Sequence, residues 1–314
     1  MRARSLAAGV LALSLVAAAC GGDDDDAAEP PADEPPAEEP APEEPDPEEP
    51  ATEEPAEEPA GNCDPLPTVQ DGVLTVATGE TVFPPWMGAG EDDFDDPTTG
   101  TGYEGALVFA LAEELGFSAD QVTFVRTGFD EVIAPGEKDW DFNIQQYSIT
   151  EARDEVVDFS DGYYEVDQAI IGRADGPAAS ATSVADLKGL RIGAAIGTTS
   201  LDYAEEVIAP DEQVQVYDDN AAAKAAFDAN QVDVIVFDVP TAYYITAVEI
   251  TDASIVGVLP SGGDPDELGM LFEDGNPLVE CVNAALASLR DAGTLDALEA
   301  EWLTQGGDIP TLSS

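Results

Sequence analysis

The sequence predicts an α/β protein made of two lobes, the second inserted into the first. Strand and helix patterns alternate from residue 72 to about 163. A Gly/Pro/Ala/Ser-rich patch then interrupts a strand within "VDQAIIGRADGPAASATS" (166–183), and the alternation begins afresh. After "ASIVGVLP" the pattern changes again, to one strand followed by two helices separated at Gly293. Strands alternating with helices call for a largely parallel sheet covered by helices.

The first set opens with "GVLTVAT" (72–78), alternating and β-branched, hence a strand. "YEGALVFALAEELG" (103–116) carries apolar residues at helical spacing and a glycine stop. Strand "QVTFVR", helix "FDEVIA" and strand "WDFNIQ" follow. The second set reads "LKGLRIGAAIG", helix "TSLDYAEEVIA", strand "QVQVY", helix "NAAAKAAFDAN", strand "VDVIVFD" and helix "PTAYYITAV". We place the first lobe at 63–170 plus 257–314 and the second at 171–256, with crossings near Asp167–Gly172 and Ser254–Leu259.

Charge narrows the partners. The 314 residues hold 10 Lys and Arg against 67 Asp and Glu, with no histidine. Nucleic acid and anionic headgroups are poor partners for such a chain, whereas a cationic or zwitterionic small molecule suits it. Without histidine and with three cysteines, the usual zinc sets and Ser-His-Asp chemistry are unavailable, and no cofactor is expected. Residues 63–314 keep 49 acids and 8 bases, an excess compatible with a saline medium.

"MRARSLAAGVLALSLVAAAC" has Arg2 and Arg4, an apolar run of signal-peptide length and small residues before Cys20. It resembles a bacterial lipoprotein signal, which implies cleavage after residue 19, a diacylated Cys20 and attachment to the outer face of the cell membrane. Ala17 stands where such signals prefer leucine, and an ordinary cleaved signal is the alternative. Residues 20–62 continue with Asp, Glu, Pro and Ala, with 18 acids and no base between 21 and 60. That composition predicts a disordered, extended spacer. With Cys20 lipidated, Cys63 and Cys281 remain, and outside the cytoplasm two leftover cysteines usually pair; two inert buried thiols are the alternative.

Several segments then carry a family resemblance: "GVLTVATGETVFPPW", "GYEGALVFALAEELG", "FDEVIAPGEKDWDFNIQQYSITEARDEVVDFSDGYY", "VADLKGLRIGAAIGTTSLDYAEE", "VDVIVFDVPTAYYI" and "GNPLVECVNAALASLRDAGTLDALEAEWL". Their order resembles that of the family 3 solute-binding proteins, the polar amino-acid-binding components of ABC transporters. The resemblance covers essentially all of 63–314, and "SIT-x-x-R-x-x-x-V-x-FS-x-x-YY" is its most specific part. It implies a type II periplasmic-binding-protein fold with two hinge crossings, a monomer that performs no chemistry, and a permease as partner.

By the same resemblance, Arg153 grips a ligand carboxylate with help from Ser148, and a guanidinium does so bidentately, as lysine cannot. Read alone, Arg153 could equally pair with Glu151, Asp154 or Glu155 on the surface. Thr198 and Thr199 open a helix, so one can cap it while Thr199 meets the same carboxylate from the second lobe. Asp238 matches the family aspartate that holds the ligand ammonium, with a helix cap ahead of Pro240 as the alternative. Phe83 or Trp86 packs against the ligand side chain, or simply within its lobe.

The chain departs from the family at Thr78-Gly79-Glu80, at Gln145-Gln146-Tyr147 and in the insertion "GEDDFDDPTTG". Glu80 is a candidate for a cationic ligand side chain and Gln146 for a polar one, while the insertion reads as a solvated loop. Two rival functions remain. A cyclohexadienyl dehydratase on this fold needs a general acid, for which Glu80 or Glu104 is available. A ligand-sensing module needs an output domain, and the sequence suggests none.

Overall fold

The structure, a computed structural model, describes residues 63–89, 94–261, 266–303 and 309–314. The expected signal, Cys20 and the spacer to residue 62 lie outside the described residues. In chain order the strands are β1 Leu74–Gly79, β2 Val122–Thr127, β3 Phe142–Ser148, β4 Asp158–Phe159, β5 Tyr164–Val166, β6 Gln168–Arg173, β7 Ile192–Ala195, β8 Gln215–Tyr217, β9 Val234–Asp238, β10 Ala253–Val258 and β11 Asp266–Phe272. The helices are α1 Tyr103–Glu114, α2 Glu151–Asp154, α3 Thr199–Asp202, α4 Asn220–Asp228, α5 Val239–Tyr244, α6 Leu278–Asp291 and α7 Thr294–Trp302.

Two sheets form among the described residues. The first runs β2-β1-β3-β11-β4, with β5 also paired to β11. Its β1 lies parallel to β2 and β3, and β11 returns antiparallel to β3. The second runs β10-β6-β9-β7-β8. The chain leaves the first sheet after β5, enters the second at β6, and comes back between β10 and β11, so the second sheet is an insertion reached by two crossings, and the tail at 311–313 also packs on the second lobe.

Burial explains why these segments pair as they do. The strand period of two sends Ile170, Val234 and Val236 to one face of the second sheet and Ala169, Ile171, Ile235 and Phe237 to the other, each face having its own apolar core. In the first sheet Leu74, Val76 and Phe142 face Leu107, Leu111 and the α6 residues Val282 and Leu286. α1 starts at Gly102, whose φ of 81° and close approach to Trp86 leave no room for a side chain, since a Cβ would lie 2.6 Å from the Trp86 carbonyl oxygen.

Some details differ from the sequence reading. "FDEVIA" forms only a 3₁₀ turn at Glu131–Ile133. α3 and α5 continue as π-helical segments, 203–208 and 245–249. The sheet change falls at Asp167, just ahead of β6, so Gln168 to Ile170, and likewise Gly257 and Val258, pair in the second sheet and not with the first lobe, to which the sequence assigns them. The tail also differs: Thr311 and Ser313 bridge to Val258 and Ser183, and Leu312, 3% exposed, is buried in the second lobe's core against Gly257. A single leucine with an apolar slot to fill overrides its place in the sequence.

Cys63 and Cys281 form a disulfide spanning 218 residues, which ties the start of the described chain to α6. Closing so long a loop stabilises by about 5 kcal/mol in the chain-entropy model, with measured losses of roughly 2–5 kcal/mol when a native bridge is removed. Cys63→Ser is therefore expected to lower the melting temperature by several degrees in calorimetry, and reduction of the wild type should match it.

Candidate ligand-binding cleft

Open α/β sheets collect functional groups at the carboxyl ends of their strands, and here the strand ends of both lobes meet at one cavity of about 260 Å³. From the first lobe come Glu80, after β1; Phe83 and Trp86; Gln145, Gln146 and Ser148 at the end of β3; and Arg153. From the second come Thr198 and Thr199, after β7, and Asp238, which ends β9. All the side chains that the sequence proposed for ligand contact line this cavity.

Arg153 is 7% exposed, which rules out the surface-pair alternative. α2 begins with Thr150, whose hydroxyl accepts the Arg153 N–H, and so turns the guanidinium inward. Its Nη1 donates to the Ser148 carbonyl at 2.5 Å and Nη2 to the Gly197 carbonyl, in the other lobe, at 2.8 Å. The Phe129 ring lies 5.7 Å from the guanidinium carbon. Burial lowers the Arg153 pKa, and Tyr147, Asp202, Asp266 and Asp238 act in the opposite direction. Gly197 has φ 72°, and a Cβ there would meet the Asp130 carboxylate at 2.6 Å, so glycine permits both the turn and the lobe contact.

Two further contacts join the lobes. The Ser148 and Thr199 hydroxyls are 3.1 Å apart, and Trp86 Nε1 donates to Thr241 Oγ1 at 2.8 Å. Trp86, 2% exposed, also packs edge-on to Tyr103 and Tyr164, so it serves its lobe's core and the cavity together. Thr198 caps α3 by accepting the Leu201 N–H, which leaves Thr199 to the cavity. Asp238 occupies the cap position of α5 without making a capping bond; its Oδ1 accepts from Gln168 Nε2 at 2.7 Å. Burial pushes Asp238 up to about 6, the Gln168 bond pulls it down, Asp266 raises it and Arg153 lowers it.

Gln146 lines the cavity as expected, and its backbone N–H and side-chain amide nitrogen are both held by Glu104. Other expectations need correction. Tyr147 is fully buried, stacked on Phe129 at 4.5 Å, and does not reach the cavity. Glu104 is fully buried behind the wall and is not among the lining residues. The insertion is partly anchored: Asp95 pairs with Arg126 at 3.0 Å and accepts the Val82 N–H, and Phe94 packs edge-on to Phe83 at 5.9 Å. Sequence reasoning missed Gln168, which binds Asp238 and accepts from the Ser200 hydroxyl at 2.6 Å. Its only signal was a polar residue opening a strand at the crossing.

Comparison with known proteins agrees with this geometry. Residues 74–305 match the family model for bacterial extracellular solute-binding proteins, family 3. The chain belongs to that family. This solute-binding protein is 28% identical over 241 residues to the L-cystine-binding protein TcyJ of Escherichia coli (strain K12), covering 76% of this chain and 84% of the relative. An ancestral arginine-binding protein bound to glutamine has the same fold, with a TM-score of 0.64 and 30% identity over 75% of this chain and all of that one. An ancestral amino-acid-binding protein, precursor of cyclohexadienyl dehydratase, superposes with a TM-score of 0.63 and 28% identity, covering 74% and 96% of the two chains. The type II two-lobe fold is thus shared with amino-acid-binding proteins.

The buried acids make stability depend on pH. Burial pushes Glu104 up to about 7, against opposing hydrogen bonds from Tyr163 and Gln146. An acid whose folded pKa exceeds its unfolded value binds more protons when folded, so its favourable contribution is complete below about pH 4.5 and is lost as pH rises through 7. The ligand-free solute-binding protein should melt higher at pH 5 than at pH 8, and Glu104→Gln should reduce that difference in scanning calorimetry.

Proposed function

We propose that the cavity binds a polar α-amino acid, or a close analogue, between the lobes. Arg153, Thr199 and Ser148 receive its carboxylate and Asp238 its ammonium. The observation that carries this reading is the placement of a buried guanidinium and a partly buried carboxylate on opposite lobes of one cavity, with complementary charges for a zwitterion. Arg153 has five N–H donors, of which two serve backbone carbonyls, leaving donors for a ligand. Phe83 and Trp86 supply apolar area for the ligand side chain, and Glu80 at the rim favours a cationic one.

A ligand that touches both lobes stabilises the closed arrangement over an open one, in proportion to its differential affinity. Family members bind amino acids and deliver them to ABC transporter permeases, and this chain is read as doing the same as a monomer, held to the outer face of the membrane through Cys20. The dehydratase alternative loses one of its two general-acid candidates, because Glu104 stands behind the cavity wall.

A melting-temperature screen over polar amino acids, with prephenate and arogenate alongside, tests the reading. We expect an upward shift with at least one amino acid, loss of that shift in Arg153→Ala and Asp238→Ala, and no turnover; turnover of prephenate would sink the transport reading.

Affinity should also follow pH. Asp238 must be ionised to hold an ammonium, and its pKa lies at about 6 in the ligand-free protein. Calorimetric Kd values are therefore expected to weaken as pH falls below 6, and a flat profile between pH 8 and 5 would remove Asp238 from the site.

A further inference from the structure

The fully buried carboxylate of Glu104 contacts one residue of the cavity wall, and the pattern of its bonds has a consequence for specificity. Glu104 Oε1 accepts the Gln146 backbone N–H at 2.8 Å and the Tyr163 hydroxyl at 2.5 Å. Its Oε2 accepts from the Gln146 side-chain amide nitrogen. Gln146 is held in a left-handed conformation, φ 52°, which is strained for a non-glycine residue, and Glu104 bonds it there.

We propose that Glu104 is a specificity-determining positioning residue, whose carboxyl group selects which end of the Gln146 amide is available to a ligand. This rests on the reading of the cavity as an amino-acid site. An ionised carboxylate only accepts hydrogen bonds, so the amide nitrogen faces Glu104 and the amide oxygen is turned away from it. In that state the wall offers an acceptor, which suits a guanidinium, ammonium or carboxamide N–H on the ligand.

Protonation reverses the arrangement. Oε1 already takes two donors, so the proton goes to Oε2, opposite the amide nitrogen. Two donors then face each other, and rotation about the terminal torsion of Gln146 relieves this by placing its oxygen on the new O–H. The amide nitrogen turns outward and the wall offers a donor, which suits a ligand carboxylate or carbonyl. Only the O–H bond is formed.

The other groups acting on Glu104 are few. Tyr163, Tyr103 and Tyr147 are all held neutral by burial, and Asp238, from the second lobe, raises its pKa by repulsion. Burial brings Glu104 to about 7, so both states are reachable under ordinary conditions.

The test is a pH titration of the ligand-free protein by nuclear magnetic resonance. We expect the Gln146 side-chain NH₂ signals and its backbone N–H to move in one transition that coincides with titration of the Glu104 carboxyl carbon. Glu104→Gln should abolish it. Tyr163→Phe removes a donor to the ionised form and should move the midpoint to higher pH, which keeps the test decisive if Glu104→Gln folds poorly. Gln146 NH₂ signals that ignore pH, or a transition that survives Glu104→Gln, would overturn the proposal.

Binding supplies a second reading. Lowering the pH from 8 to 6 should change the ratio of Kd values for L-arginine and L-glutamate about tenfold in favour of glutamate, the effect of one hydrogen bond to a charged group. Both ligands carry the same ammonium, so titration of Asp238 cancels in the ratio, and in Glu104→Gln the ratio should be flat. A flat ratio in the wild type would overturn the specificity role. If no amino acid of the melting-temperature screen binds while the Gln146 signals still follow Glu104, the amino-acid reading of the cavity fails and the coupling of the two residues stands.

Discussion

A buried guanidinium has to be satisfied, and the way Arg153 is satisfied organises this molecule. Moving an unpaired charge out of water costs several kcal/mol. Among the described residues Arg153 has no carboxylate partner within ion-pair distance; it bonds instead to two carbonyls, one in each lobe. The same side chain therefore links the lobes and keeps donors free at the cavity. By contrast, Arg126, Arg173, Arg191 and Lys224 pair with acids nearer the surface. In a chain so rich in carboxylate, Arg153 is thus a buried cation at the cavity without an acid partner among the described residues.

The second lobe answers with Asp238, and the two charges make sense only together. Each is partly offset by the other, since Arg153 lowers the Asp238 pKa and Asp238 raises that of Arg153. Gln168 connects this pair to the crossing between lobes: it lies at the first residue of β6, bonds Asp238, and accepts from Ser200. The crossing between the lobes and the Asp238 carboxylate thus share a residue.

Behind the wall, a layer of buried polar groups sets the shape of the cavity. Glu104, Tyr163 and Tyr103 form a chain of hydrogen bonds, with the Tyr103 hydroxyl donating to the Tyr163 carbonyl at 2.8 Å. In low dielectric such bonds are strong when complete and costly when broken. Phe94 and Asp95 brace Phe83 and Val82, so an insertion that reads as solvent-exposed acid supports the cavity wall.

The sequence by itself determined the α/β class, the insertion of one lobe into another and the residues at the strand ends, because periodicity and motif spacing are local properties of the chain. It could show that Arg153, Thr199 and Asp238 were candidates, yet left open whether each was a surface partner or a helix cap. Tertiary structure decided those questions through burial: Arg153 is enclosed by carbonyls from both lobes, Thr198 takes the capping role beside Thr199, and Asp238 is bound by Gln168. The tail at Leu312 and the hold of Glu104 on Gln146 were likewise invisible in one dimension. Each depends on residues far apart in the chain meeting where water is excluded, and only there does a polar side chain have to commit to one partner.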